Sequence, residues 1–164
     1  MIPKTIHYCW FGKKPLPPLA KKCIVSWKKF FPDYEIIEWN EDNFDVNQIP
    51  YTAEAYKHKK YAFVSDYARF KILYEHGGLY FDTDVEIIKP MNDIISQGNF
   101  MGLERDISSG FACAPGLGIG CMPQSSFFNI ILSLYNTLSF ENPDGSLNLK
   151  TVVEYTSNLM VQEG

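Results

Sequence analysis

The chain has 164 residues, of which 46% are apolar, 21% charged and 15% aromatic, and it carries a formal charge of −4. This is the composition of one globular domain with room for a real core, and the acidic balance argues against non-specific binding of nucleic acid. No run reaches the roughly 18 apolar residues of a membrane span, the N-terminus lacks the basic-then-apolar pattern of a signal peptide, and Cys9, Cys23, Cys113 and Cys121 lack the C-x-x-C spacing of a zinc site, so a cytoplasmic protein with room for peripheral membrane contact is expected.

"TIHYCWFG" (Thr5–Gly12) reads as a first strand, β-branched and aromatic, ended by glycine. Leu19–Phe31 has apolar residues at helical spacing with its lysines mainly on the other face, and Pro32-Asp33 stops it. Tyr34–Trp39 is a second strand, and "NEDNFDVNQIP" after it reads as polar loop. Tyr61–Gly78 has the strongest helical pattern in the chain and closes on Gly77-Gly78. A short strand is expected at Asn99–Glu104, a glycine-rich mixture of loop and strand at Asp106–Gln124, and two helices at Ser125–Leu138 and Leu149–Gln162. Strands alternating with helices predict an α/β sheet, whose ligands collect at the carboxyl ends of the strands.

"GGLYFDTDVEIIKP" (Gly77–Pro90) carries the sharpest chemical signal. If the strand runs through Asp82 and Asp84, period two points both acids to one face, with α-carbons roughly 6.5–7 Å apart. Two carboxylates that close repel, and burial raises the penalty. A hard dication such as Mg²⁺ or Mn²⁺ removes it, one acid binding directly and the other through water or a ligand hydroxyl. The plain alternative ends the strand at Phe81 and leaves two solvated loop acids. Tyr80 shares the face of Asp82, either to bond a ligand or to fill the core. Asp66 and Arg69, three apart on the preceding helix, are either a surface ion pair of little worth or a pair that grips ribose hydroxyls and phosphate. Trp10, at the end of the first strand, either stacks on a base or packs in the core. His7, His58 and His76 have no partner at metal-ligand spacing and receive no role; Lys57, Lys59 and Lys60 read as a solvated face. "GLGIG" (Gly116–Gly120) departs from the phosphate-loop template and reads as backbone freedom near the site.

Together "IPKTIHYCWFG", "SWKKFFPDYEIIEWNEDNFD", "KKYAFVSDYARFKILYEHGGLYFDTDVE" and the "KP" that follows resemble glycosyltransferase family 32. That family holds bacterial capsule and polysaccharide transferases and yeast-type initiating mannosyltransferases, with the clostridial glucosylating toxins as more distant relatives. The likeness covers residues 2–90 well and the last third loosely. It implies a single domain over residues 1–164 with the GT-A nucleotide-diphospho-sugar transferase fold, a Rossmann-like sheet flanked by helices. It also implies a nucleotide-diphosphate sugar as donor, a glycan or lipid-linked glycan as acceptor, Mn²⁺ or Mg²⁺ as cofactor, no nucleic acid, and retention at the anomeric carbon. By position, Trp10 would stack on the base; Asp66 and Arg69 would hold ribose or sugar hydroxyls, beside Tyr80. Asp82 would contact ribose, sugar or a metal-bound water, and Asp84 would ligate the metal. Asp82, Asp84 and Arg69 form the implied catalytic set.

Members of that family continue into a C-terminal segment that closes over the diphosphate, whereas this sequence stops at "NLMVQEG". A weak or inactive donor-binding fragment is therefore the alternative to an active transferase. Aspartate-nucleophile phosphatases also use D-x-D, but near the chain start and with a second acidic motif downstream, a pattern this sequence lacks.

Overall fold

Thr5–Cys9 forms β1, which the computed structural model places between two parallel neighbours. The structure describes residues 1–106 and 110–163. Pro18–Phe30 is α1, Glu35–Trp39 is β2, Pro50–Lys57 is α2, Tyr61–His76 is α3 and Gly78–Tyr80 is β3. After the short α4 (Asn92–Ile95) come β4 (Phe100–Met101), β5 (Leu103–Asp106), β6 (Gly110–Cys113), β7 (Ile119–Cys121), α5 (Ser126–Thr137) and α6 (Val152–Glu163). The sheet order is β2-β1-β3-β7-β4, with β2 and β3 parallel to β1 and β7 antiparallel to both β3 and β4; β5 and β6 pair as a separate ribbon.

The side-chain alternation of β1 and β3 sorts the core into two layers. Ile6, Tyr8, Leu79 and Phe81 point to the α1 side, where Trp27 is fully buried against Phe81 at 5.6 Å between ring centroids. Cys9 and Tyr80 point to the other side, against α3, which packs on α2 and α5. Tyr80 therefore faces the helix that carries Asp66 and Arg69.

Three elements differ locally from the expected ones. Helix α2 stands where the sequence reads as loop and basic stretch. Pro50 occupies its first turn, where a missing N–H costs nothing, and Tyr51 and Ala55, one turn apart, are fully buried. The expected strand at Asn99–Glu104 is split between β4 and β5. At Gly102 between them, the N–H donates to Gly118 O at 2.8 Å and the carbonyl accepts from Ala114 N at 2.8 Å. An added Cβ there would lie 2.9 Å from Leu117 Cβ. The first strand stops at Cys9, so Trp10 follows it in the loop. Within the glycine-rich stretch Asp106–Gln124, residues 107–109 lie outside the described residues. All four cysteines are buried and free.

His7 sits on β1 with both ring nitrogens occupied. Trp39 Nε1 donates to Nδ1 at 3.0 Å, so Nε2 carries the proton and donates to Gly77 O at 2.9 Å. Burial lowers its pKa to about 4, and the neighbouring His76 works in the same direction. The folded value lies below the unfolded one, so the neutral ring contributes stability above pH 6.5. That contribution is lost as pH falls from about 6.5 toward 4, on the order of 3 kcal/mol. A ring-proton NMR titration is expected to keep His7 neutral down to about pH 5; a midpoint near 6.5 would contradict this packing.

Candidate active site

The site begins where β3 ends. The ladder stops at Tyr80, Phe81 N donates to His7 O at 3.3 Å, and Asp82 N turns away to Gly116 O at 3.0 Å. Val85 N then closes a turn onto Asp82 O at 3.0 Å. The two acids thus occupy a turn beyond the strand rather than one face of it, because the pairing groups of β7 are spent before Asp82. The turn is pinned from behind: Trp27 Nε1 donates to Val85 O at 2.8 Å and Ile87 N donates to Ser26 Oγ at 2.9 Å. The strand thus ends one residue before the Phe81 of the plain reading, and both acids lie in the turn beyond it.

Asp82 and Asp84 line a cleft of about 420 Å³ together with Trp10, Asp66, Arg69 and Tyr80, so all six candidate residues meet in one place. Asp66 and Arg69 are not a surface pair. Arg69 is 3% exposed and Asp66 9%, and Nη2 of the arginine donates to Asp66 Oδ1 at 3.1 Å. The same Nη2 lies 3.1 Å from Asp82 Oδ1, Nε donates to Ser65 O at 3.2 Å, and the guanidinium carbon stands 4.9 Å from the centre of the Tyr80 ring. Tyr80 completes the knot by donating its hydroxyl to Asp82 Oδ1 at 3.1 Å. Arg69 Nη1 is buried with no hydrogen-bond partner among the described residues. An orphaned charged donor beside a cleft is the kind of group a ligand oxygen satisfies.

Burial pushes the Asp66 carboxyl up to about 6, with Arg69 opposing and Asp82 adding to the rise. Burial also works against the Arg69 charge, but Tyr80, Asp82 and Asp66 around it hold its pKa above the usual arginine value. At neutral pH Asp66 therefore faces the buried Arg69 cation mostly in its ionised form, and it takes up a proton near pH 6. Asp84 differs from these groups. It is exposed, and among the described residues it has neither a hydrogen bond nor an ion pair. Asp82 is held in place and Asp84 is free to bind.

Trp10 is half-buried. It packs against the α1 layer with one part of its ring and lines the cleft with another, so both of its expected roles are compatible. Its Nε1 donates to Lys14 O at 2.6 Å, which fixes the indole plane. Sequence reasoning missed Lys14, Ser65 and Cys9 as cleft residues; Ser65 and Cys9 adjoin the flagged Asp66 and Trp10, and Lys14 follows the end of the first strand, signals that were available. It flagged Gly116–Gly120 only loosely, whereas Gly116 has a defined place. A Cβ added there would collide with Asp82 Oδ2 and lie 3.3 Å from Arg69 Nη1. On that side a second recess of about 230 Å³ opens, sharing Asp66, Arg69, Asp82 and Asp84 with the first and adding Glu104, Leu117 and Val152.

The donor set fits a hard dication. Among the described residues no three His, Cys, Asp or Glu side chains gather into a cage. Two carboxylates on an open cleft are what Mg²⁺ or Mn²⁺ uses when waters and phosphate oxygens complete the shell.

The sequence profile of the glycosyltransferase sugar-binding region containing the DXD motif matches residues 17–101. An uncharacterized glycosyltransferase of Acanthamoeba polyphaga mimivirus is 30% identical over 170 residues, covering 96% of this chain and 67% of that protein. The initiation-specific alpha-1,6-mannosyltransferase of Candida albicans is 30% identical over 119 residues, 66% of this chain and 31% of that protein. Inositol phosphoceramide mannosyltransferase 1 of Schizosaccharomyces pombe is 27% identical over 111 residues, 61% of this chain and 33% of that protein. The aligned regions thus cover about a third of the length of these two fungal relatives. The solved PaToxG glycosyltransferase superposes on 99% of this chain, and on 70% of its own, with a TM-score of 0.73 at 21% identity. The mixed sheet with its flanking helices is a GT-A fold, and the chain belongs to the family of glycosyltransferases whose sugar-binding region contains the DXD motif.

Proposed function

We propose that the chain moves a sugar from a nucleoside-diphosphate donor to a glycan or lipid-linked glycan acceptor, with retention at the anomeric carbon. The observation that carries this reading is the convergence of Trp10, the buried Asp66–Arg69 pair, Tyr80 and both DXD acids on one cleft. The cleft volume suits a ligand of nucleotide size. Capsule or other surface polysaccharide made on the cytoplasmic side of a membrane is the setting we infer for such a reaction.

Each residue has a task in that reading. Trp10, its plane fixed by Lys14 O, offers an aromatic face to the base. Asp66 accepts from ribose or sugar hydroxyls, and Arg69 Nη1 donates to a donor oxygen. Asp82, braced by Arg69 and Tyr80, keeps its other oxygen for the sugar and would join Asp84 in holding the ion. Asp84 would hold Mn²⁺ or Mg²⁺. When bound, that ion supplies Lewis-acid stabilisation of the charge that gathers on the departing diphosphate.

No side chain is needed as nucleophile. The one thiol in the cleft, Cys9, is pushed up to about 12 by burial and is not a thiolate at neutral pH. Asp66 is tied to Arg69, Asp82 to Arg69 and Tyr80, and Asp84 would hold the ion. The acceptor hydroxyl attacks the anomeric carbon on the side the diphosphate leaves, and a leaving phosphate oxygen takes its proton. The sugar passes through an oxocarbenium-like state of the kind seen in glycoside cleavage. The recess toward Glu104 and Leu117 gives sugar and acceptor room on the far side of Asp82.

The test is a panel of nucleotide sugars with Mn²⁺, mannosyl donors first because the fungal relatives carry that name. Calorimetry reads binding, and mass spectrometry reads glycosidic product or hydrolysed donor. Binding together with release of nucleoside diphosphate supports the transferase; binding without turnover makes this chain a donor-binding fragment; neither refutes the reading.

A further inference from the structure

We propose that the outer face of α1 and the segment beside it form a docking surface for an anionic lipid bilayer. The surface is separate from the transfer reaction, and its test uses no sugar donor.

The first observation is the distribution of charge. Seven lysines (Lys4, Lys13, Lys14, Lys21, Lys22, Lys28 and Lys29) precede the first acidic residue, Asp33, in a chain whose net charge is −4. Four of these lysines lie on α1, so that helix carries a basic face on a chain that is acidic overall. The fold keeps that face exposed. Cys23, Ile24 and Trp27 of α1 are buried against the sheet, and Lys21, Lys22, Lys28 and Lys29 stand outward around Val25. Lys4 pairs with Asp33 and Lys22 with Glu86. The other five have no carboxylate at ion-pair distance among the described residues.

The second observation is apolar. Val25 is 64% exposed in the centre of the lysines, and Leu19 is 56% exposed one and a half turns away. Ile88 is 79% exposed on the segment tied to α1 by the Ser26–Ile87 hydrogen bond and the Lys22–Glu86 pair. A nucleic-acid groove or an acidic protein would be matched by the lysines alone. Lysines ringing projecting aliphatic side chains match a headgroup layer, where the charges meet lipid phosphates and the side chains enter the acyl boundary. Helix α1 is about 20 Å long at 1.5 Å per residue, enough to lie flat there.

The experiment is vesicle sedimentation of the full chain, comparing phosphatidylcholine alone with a mixture holding about 30% phosphatidylglycerol, a fraction chosen to give a strongly negative surface potential. Binding to the mixture only is expected, falling at least ten-fold as salt rises from about 0.05 to 0.5 M. A lysine near such a surface is worth roughly a five-fold factor, so Lys21→Glu/Lys28→Glu is expected to weaken binding at least ten-fold with an unchanged melting curve. Val25→Asp is expected to weaken it several-fold even at low salt, and Lys57→Glu/Lys59→Glu to leave it intact. If the double glutamate variant melts early, Lys21→Gln/Lys28→Gln replaces it. Equal binding to neutral vesicles, no binding to anionic ones, capture of duplex DNA or heparin while vesicles are ignored, or insensitivity to the α1 substitutions would overturn the proposal.

Discussion

Replacing Asp84 by alanine is expected to lower donor turnover by about a thousand-fold and to abolish the Mn²⁺ dependence of nucleoside-diphosphate binding, while leaving the melting temperature within a degree or two. The magnitude follows from the several kcal/mol of leaving-group stabilisation that a bound dication supplies, at about 1.4 kcal/mol per factor of ten. The small structural effect follows from the position of the residue: Asp84 is exposed and bonded to nothing among the described residues, so its removal opens no cavity and strands no partner. Asp84→Asn keeps the shape and removes the charge, and is expected to behave in the same way. Asp82→Asn is expected to separate from both. It leaves Arg69 and Tyr80 facing a neutral amide, and so lowers stability as well as turnover. Isothermal titration of Mn²⁺ with and without nucleoside diphosphate, beside a thermal melt, checks all three. Metal-dependent donor binding that survives Asp84→Ala would place the ion elsewhere.

The second large effect concerns Arg69. Substitution by methionine, which fills similar space without charge, is expected to destabilise the fold by about 3–5 kcal/mol, the range for breaking a buried ion pair from one side. The guanidinium is 4% exposed, so solvent does little to screen its loss. The variant leaves Asp66 desolvated without its cation and removes the ion-pair partner of Asp82 Oδ1. It also strips the cation from the face of Tyr80. Combining Arg69→Met with Asp66→Asn is expected to restore part of the loss, because the stranded charge is then gone and the two changes are not additive. Arg69→Lys restores the charge but not the fork and should fall in between. Urea denaturation of the parent, Asp66→Asn and these three variants, five proteins in all, measures this directly. A single-variant loss under 1 kcal/mol, or strict additivity, would show that the pair is not the buried keystone described above.

Residues close in sequence made the site legible, and residues far apart hid its supports. The i,i+3 spacing of Asp66 and Arg69 and the one-residue gap between Asp82 and Asp84 are local facts, so their nearness could be read directly. Helix α3 could be read because its apolar period is long and Gly77, with φ +63°, ends it as a residue with a Cβ would not. That Trp10 faces the same cleft followed from the rule that ligands collect at strand carboxyl ends. The role of Gly116 could not be read, since its meaning lies in Asp82, which reaches it only after the chain has folded around β4 to β6. The end of β3 at Tyr80 was equally hidden, because an apolar run does not state where its ladder partner departs. Helix α2 escaped for a third reason: eight residues show barely two turns of periodicity, and burial of Tyr51 and Ala55 rather than propensity stabilises it.

The central claim is that Asp82 and Asp84 sit side by side because they serve one divalent ion shared with a donor diphosphate. Crystals grown with Mn²⁺ and a nucleoside diphosphate test it most directly, through the anomalous scattering of manganese. The account requires a peak bonded to an Asp84 oxygen and to phosphate oxygens, with Asp82 directly or through water in its shell and the base against Trp10. Diphosphate bound in the cleft with no manganese beside Asp84, or manganese seated at a different group of acids, would contradict it.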